Sequence, residues 1–173
     1  MYCGCNPIAR TSQLQTAHAL IRLMAQKPYA SVTVSELCRT AGISRQTFYS
    51  LFGSMENVVL FVLQEKACEL PCGPEPGDAL ERLCRCYSRY ICRNRDLLKL
   101  LVENNVGFLL YRSVYEAVSR LGCREGTEWD YAANFLAGGI TGVVRQYCAA
   151  EPPADCEELY RILCRLFQGG CFS

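Results

Sequence analysis

Apolar residues recur at three- and four-residue steps along almost the whole chain, and this spacing predicts helices rather than strands. Proline and glycine interrupt the repeats at Pro28, at Gly42, in the segment 71–77 and at Pro152–Pro153. We find no convincing alternation of apolar and polar residues and no internal repeat. We therefore expect an all-α protein of about nine helices, with an N-terminal three-helix helix-turn-helix domain followed by a C-terminal helical bundle.

Capping signals sharpen the predicted bounds of these helices. Thr33 followed by Glu36 has the spacing of a capping box, and Ser44 and Ser54 each precede a helical pattern. We predict a first helix that ends before Pro28, and then helices at 34–41, 44–51, 54–70, 78–93, 95–104, 106–121, 127–149 and 155–168. The predicted division is a helix-turn-helix domain at 1–54, a connecting helix at 55–70 and a C-terminal ligand-binding and dimerisation domain at 71–173.

The charge of the 173-residue chain is nearly balanced, at +1, but it is unevenly distributed. Residues 1–66 carry six Lys/Arg against three Asp/Glu, whereas residues 67–173 carry twelve against fourteen. A mildly basic first third is compatible with phosphate contact, although scatter in surface charge would explain it equally well. No apolar stretch approaches the roughly 20 residues of a membrane span. We expect a cytoplasmic protein with no membrane partner.

The thirteen cysteines are an unusual number for a chain with no recognisable export signal. Their number is odd, they include no C-x-x-C spacing, and the chain has one histidine, so a zinc site is disfavoured. We expect most of them to pack as small hydrophobic residues. The prediction is no metal and no cofactor, with redox sensing through an exposed thiol left open as a variant.

The most informative stretch runs from Ser31 to Glu56 and reads SVTVSELCRTAGISRQTFYSLFGSME. Two short helices around a glycine-containing turn form a helix-turn-helix, which lays its second helix in the DNA major groove. Arginine suits the O6/N7 edge of guanine and glutamine the N6/N7 edge of adenine. The second helix begins with side chains that donate such hydrogen bonds, namely Arg45, Gln46, Thr47 and Tyr49.

The order T-V-x-E-L-x-x-x-A-G-I-S-R-x-T-F-Y-x-x-F-x-S-x-E resembles the DNA-binding region of TetR-family regulators. The resemblance implies that Phe48 and Phe52 belong to the core of the small domain. It also implies DNA-facing roles for a set of polar residues, which we extend by Ser50 and Ser54: Thr33, Ser44, Arg45, Gln46, Thr47, Tyr49, Ser50 and Ser54.

Two departures from the family pattern concern residues that bind the phosphate backbone of DNA. Family members usually carry histidine where this chain has Ser50 and lysine where it has Met55. The segment before the first helix holds one basic residue, Arg10. Because each lost cation removes a salt-dependent contribution to affinity, we expect weaker non-specific binding and more reliance on Arg45 and Gln46.

The second half of the chain resembles the C-terminal domain of Firmicutes-type TetR relatives. The residues that carry this resemblance are the segments 97–105, 129–131 and 135–142. One such relative, the activator of a dihydroxyacetone kinase operon, receives a protein partner through this kind of domain. The resemblance implies a homodimer held by the last two long helices, with a palindromic operator as the DNA partner. The predicted interface residues are Phe135, Ile140, Val144, Leu159, Leu163 and Leu166.

An effector site would lie between the helices of this domain. Its candidate lining residues are aromatic, although each of them is also a candidate for ordinary packing: Tyr87, Phe108, Tyr111, Trp129 and Tyr131. Gly138, Gly139 and Gly142 interrupt a helical pattern, which indicates close approach of another helix or space for a ligand.

The leading hypothesis is a dimeric, sequence-specific DNA-binding regulator, expected to be a repressor, that responds to a small-molecule or protein effector. The alternative is a protein-interaction module, or a co-regulator responding to a protein partner, with weakened DNA binding. The sequence shows no nucleophile–base pair, paired carboxylates, phosphate-binding glycine loop or metal cluster, so we do not expect an enzyme.

Overall fold

A computed structural model describes residues 6–69, 77–121 and 127–168 of the chain. The helices are α1 (Pro7–Met24), α2 (Val34–Ala41), α3 (Arg45–Leu51), α4 (Met55–Cys68), α5 (Ala79–Arg93), α6 (Arg95–Glu103), α7 (Gly107–Leu121), α8 (Thr127–Ala149) and α9 (Cys156–Phe167), and a 3-10 turn spans Tyr29–Ser31. The described residues thus form nine α-helices and no strand. The predicted all-α class is confirmed.

The observed helix bounds differ from the predicted ones by a few residues at most. α4 ends at Cys68, whereas Leu70 and the proline-rich segment 71–76 lie outside the described residues. The predicted caps are present: the hydroxyls of Thr33, Ser44 and Ser54 accept backbone N–H hydrogen bonds at 3.2, 3.0 and 3.3 Å. Each hydroxyl thereby satisfies one of the N–H groups that a helix start leaves unpaired.

Only one of the two hydrogen bonds of the capping box predicted at Thr33 is present. The Thr33 hydroxyl caps α2, but the Glu36 carboxylate accepts a 2.5 Å hydrogen bond from Lys27 after the end of α1. A cation within reach binds a carboxylate more strongly than a neutral backbone N–H does. A complete capping box occurs instead at Asp78 and Glu81, at the start of α5.

The N-terminal helices pack around a small aromatic core. α1 packs on α2 and α4, and α2 packs on α3. Phe48 of α3 lies 6.0 Å from the ring of Phe52, which in turn lies 5.7 Å from Phe61 of α4. α3 has only seven residues, too few for an isolated helix to be stable in water. Its orientation therefore depends on this core.

The remaining helices form a second layer of packing. α7 packs on α8, α5 on α9, and α6 on α8. Gly139 on α8 allows a close approach of α9, because a Cβ atom at this position would lie 3.1 Å from the Phe167 ring. Gly138 and Gly142 have open space where a Cβ would lie, so of the three glycines only Gly139 is explained by helix packing.

Three contacts join the two layers. α4 packs against both α1 and α7. The Tyr90 hydroxyl of α5 donates to the carbonyl oxygen of Leu63 on α4 at 3.3 Å. The Tyr29 backbone N–H donates to Oδ1 of Asn104 at 2.7 Å, which connects the 3-10 turn to the corner between α6 and α7. Within the described residues, no helix has the length and hydropathy that a bilayer span requires.

Candidate DNA interface

The geometry of α3 follows from the turn before it and the residues that face the core. Gly42 ends α2 with φ at 69°, a left-handed conformation that favours glycine, and Ser44 then caps α3. Phe48 is fully buried, whereas the Tyr49 side chain is 50% exposed. One side of α3 therefore packs against the core, and the other side is open to solvent.

The open side of α3 carries most of the predicted base-reading residues. Arg45 and Gln46 are exposed, and Tyr49 and Ser50 follow one helical turn later, also exposed. In the described part of the chain, Arg45 has no carboxylate within salt-bridge distance. The four side chains form one polar surface of the size that enters a major groove.

The hydroxyl residues of the predicted site have a structural role as well. Thr33, Ser44 and Ser54 use an oxygen lone pair to cap their helices, and the Ser44 and Thr47 oxygens lie 2.8 Å apart. Thr47 is only partly exposed. Since a hydroxyl that accepts one hydrogen bond can still donate another, capping leaves these groups able to contact phosphate.

Two cations near the N-terminal helices are held by carboxylates of the chain. Arg10 forms an ion pair with Glu65, and its guanidinium lies 5.1 Å from the centre of the Phe61 ring. Lys27 pairs with Glu36, and this hydrogen bond is the main cause that holds the pKa of the Glu36 carboxyl below its usual value. Arg10, which was expected before the first helix, lies within α1 and is bound to α4.

Of the five aromatic residues predicted to line an effector site, two come together in one groove. Phe108 and Tyr111 share a groove of about 310 Å³ between α6, α7 and α8. Tyr131 is 74% exposed, and burial raises the pKa of the Tyr87 hydroxyl. Trp129 is half-buried, and its indole Nε1 lacks a hydrogen-bond partner among the described residues.

Polar residues that the aromatic prediction did not include complete this groove. Asn105, Thr141 and Arg145 line it beside the two rings. Thr141 and Arg145 were not predicted from the sequence. They reach the groove because α8 crosses α6 and α7, which sequence spacing does not reveal.

Only part of the predicted dimer interface, called the dimer seam below, lies at the surface of a single chain. Phe135 is 68% exposed and Leu166 is half-buried. The other four residues are at most 2% exposed within a single chain, where they fill its own core: Ile140, Val144, Leu159 and Leu163. Such side chains have no surface left for a partner, so this part of the seam needs correction.

Comparison with known proteins bears on the helix-turn-helix. The sequence profile described as bacterial regulatory proteins, tetR family, matches residues 18–61. Residues 18–61 are a TetR-family domain. This TetR-type domain contains the end of α1, all of α2 and α3, and the first half of α4. No curated protein sequence matches the chain.

Solved structures share the fold beyond the TetR-type domain. Lin0861 from Listeria innocua superposes with a TM-score of 0.78 at 14% identity, covering 97% of this chain and 95% of that one. The dihydroxyacetone kinase operon activator DhaS gives 0.54 at 19% identity, covering 92% and 95%. A TetR transcriptional regulator from Rhodococcus sp. RHA1 gives 0.55 at 18% identity, covering 93% and 97%. At these identities the likeness shows the fold.

Proposed function

We propose that this chain is a DNA-binding transcriptional regulator that reads a specific operator with α3. The observation that carries the proposal is the open polar side of α3, formed by Arg45, Gln46 and Tyr49 within a TetR-type domain. Arg45 would pair with guanine and Gln46 with adenine in the major groove. A protein of this kind acts on DNA in the cytoplasm and needs no catalytic residue.

The proposed arrangement of the chain keeps the division predicted from the sequence. The helix-turn-helix at 1–54 reads DNA, the helix at 55–70 connects, and residues 71–173 receive the effector and dimerise. α4 supports this division because it contacts helices on both sides. We favour a repressor that an effector releases from DNA.

The groove beside Phe108 and Tyr111 supports effector control. It adjoins the corner where Asn104 binds the Tyr29 backbone N–H, and Asn105 belongs to both the corner and the groove wall. An effector that prefers one position of this corner would shift the position of the TetR-type domain. Arg145, Asn105 and Thr141 suit a ligand with an anionic or hydrogen-bonding group next to an apolar part.

Dimerisation is proposed through the surface between α8 and α9. An apolar groove of about 350 Å³ lies there, lined by Gly142, Val143, Ile162 and Leu166 among others. Phe135 extends the apolar surface along α8. This revised seam uses residues that a single chain leaves accessible, and two copies of α3 would then read the halves of a palindromic operator.

Replacing Val143 with glutamate should convert the dimer to a monomer, because association would bury an unpaired carboxylate. A desolvated charge of this kind costs several kcal/mol, so the dissociation constant should rise about a hundredfold or more. Analytical ultracentrifugation at micromolar concentration measures the change. Val102→Glu is the matched control, since Val102 is also half-buried but lies on α6. A monomeric native chain would contradict the seam.

The alternative is a protein-interaction module of the same fold. It is favoured by the small number of cations that the N-terminal helices offer for contact with DNA phosphates. Arg10 and Lys27 are bound to carboxylates, and Ser50 and Met55 stand where the family usually has cations. Selection of genomic fragments by the purified chain separates the two functions. Enrichment of fragments that share a palindrome at moderate salt supports the regulator, whereas no enrichment from pure, folded protein supports the module.

A further inference from the structure

Cysteines face one another across the contact between α5 and α9. Each helix directs residues at four-residue steps toward the other, with Cys84, Ser88 and Cys92 on α5 and Cys156, Tyr160 and Cys164 on α9. Four-residue spacing keeps side chains on one side of a helix. The spacing of the cysteines in the sequence did not suggest this pairing, because the partner thiols lie on a helix far along the chain.

Side-chain contacts define the register of the two helices. The Cys164 thiol contributes to the raised pKa of the Cys84 thiol, and the Cys156 thiol to that of Cys92, so the members of each pair lie close together. Higher numbers on α5 meet lower numbers on α9, so the helices are antiparallel. Each pair is eight residues from the other along its helix, which is about 12 Å at the α-helical rise.

The layer between the two thiol pairs holds this register in place. The Arg85 guanidinium lies 4.2 Å from the centre of the Tyr160 ring. The Ser88 hydroxyl, buried between the helices, lies 4.0 Å from the Cys156 sulfur. The two thiol pairs are therefore a consequence of how α5 and α9 pack, and the same register brings both together.

The exposure of the two thiols differs in the Cys84–Cys164 pair and is similar in the Cys92–Cys156 pair. Cys84 is buried, whereas Cys92, Cys156 and Cys164 are half-buried. Burial, with a contribution from Cys164, raises the pKa of the Cys84 thiol to about 12, and burial also raises that of Cys92. Solvent reaches the first pair through Cys164, and the second pair through both Cys92 and Cys156.

We propose that Cys84–Cys164 and Cys92–Cys156 are two sites of reversible disulfide formation that join α5 to α9 when the chain meets a hydroperoxide. The accessible thiol attacks the peroxide oxygen, which gives a sulfenic acid and releases an alcohol or water. The paired thiol then displaces water from the sulfenic acid and forms the S–S bond. Two thiols and one hydroperoxide thus yield one disulfide, one alcohol or water from the peroxide, and one water.

Peptide mapping under non-reducing conditions tests the proposal on the full native chain. The reduced protein is treated with about one equivalent of hydrogen peroxide per thiol pair, blocked with an alkylating agent and digested with trypsin. Arginines isolate three of the thiols, in peptides 83–85, 90–93 and 162–165, while Cys156 shares 146–161 with Cys148. Further digestion with an endoproteinase that cleaves before Asp155 separates those two.

The expected cross-links are 83–85 with 162–165, and 90–93 with the part of 146–161 that contains Cys156. Cys164→Ala should abolish only the first and Cys156→Ala only the second. Cys86→Ala, which removes an exposed thiol from the same helix, should change neither. Circular dichroism of each reduced variant establishes that it is folded.

The melting temperature supplies a second measurement. Oxidation should raise it by on the order of 5 °C or more, and a dithiol reductant should restore the original value. Cys164→Ala and Cys156→Ala should each lose part of this rise. Other pairings, cross-links between chains, or four unreacted thiols in folded, peroxide-treated protein would overturn the proposal.

Discussion

Replacing Arg45 with alanine is expected to weaken specific operator binding by about thirtyfold or more. The Arg45 side chain is exposed at the start of α3, where a guanidinium can donate two hydrogen bonds to one guanine. Loss of such a contact costs about 1–3 kcal/mol, and a dimer loses it in both half-sites. Fluorescence anisotropy with a selected operator fragment, at a fixed salt concentration, measures the loss.

A matched arginine separates base reading from general charge. Arg93 is also exposed, but it lies at the end of α5, away from the helix-turn-helix. Arg93→Ala removes the same charge and should change operator affinity less than about threefold, since surface charges at a distance are screened. Equal losses from both variants would mean that Arg45 acts through net charge and not through a base.

The adjacent glutamine makes the same experiment more specific. Gln46→Ala should reduce discrimination between the operator and a fragment with one altered base pair, because an uncharged amide contributes mainly to base recognition. Binding to unrelated DNA should change little. If Arg45→Ala and Gln46→Ala both leave the enriched fragments unchanged, then α3 does not read this DNA.

The features that were predictable from the sequence are those set by local interactions. Thr33, Ser44 and Ser54 were recognised as caps because a hydroxyl needs only the backbone three residues ahead of it. The turn at Gly42 was recognised because few other residues adopt a positive φ readily. The inward position of Phe48 followed from helical spacing and from the resemblance to the TetR family.

Features that depend on how helices cross could not be predicted in the same way. An apolar stripe on α8 or α9 fits a subunit interface and an intrachain core equally well, and the structure shows Ile140 and Leu163 in the core. Arg10 was placed before the first helix, but it lies in α1 and meets Glu65 because α1 packs on α4. The thiol pairs of α5 and α9 likewise depend on a register between distant segments.

Phe48→Ala is the substitution expected to cost the chain most stability. The Phe48 side chain is fully buried, with its ring centre 5.3 Å from that of Tyr49 and 6.0 Å from that of Phe52. Truncating a buried phenylalanine lowers the free energy of unfolding by about 3–5 kcal/mol, through lost burial and the cavity left behind. That is a large share of the 5–15 kcal/mol typical of a whole domain.

Urea denaturation followed by circular dichroism measures this loss, and Phe108→Ala is its matched control. Phe108 is 57% exposed, so the same truncation there should cost less than about 1 kcal/mol. Because α3 is too short to hold its shape alone, Phe48→Ala should also abolish operator binding under conditions where α5–α9 remain helical. A variant that bound DNA normally would show that α3 is held by contacts other than this aromatic core.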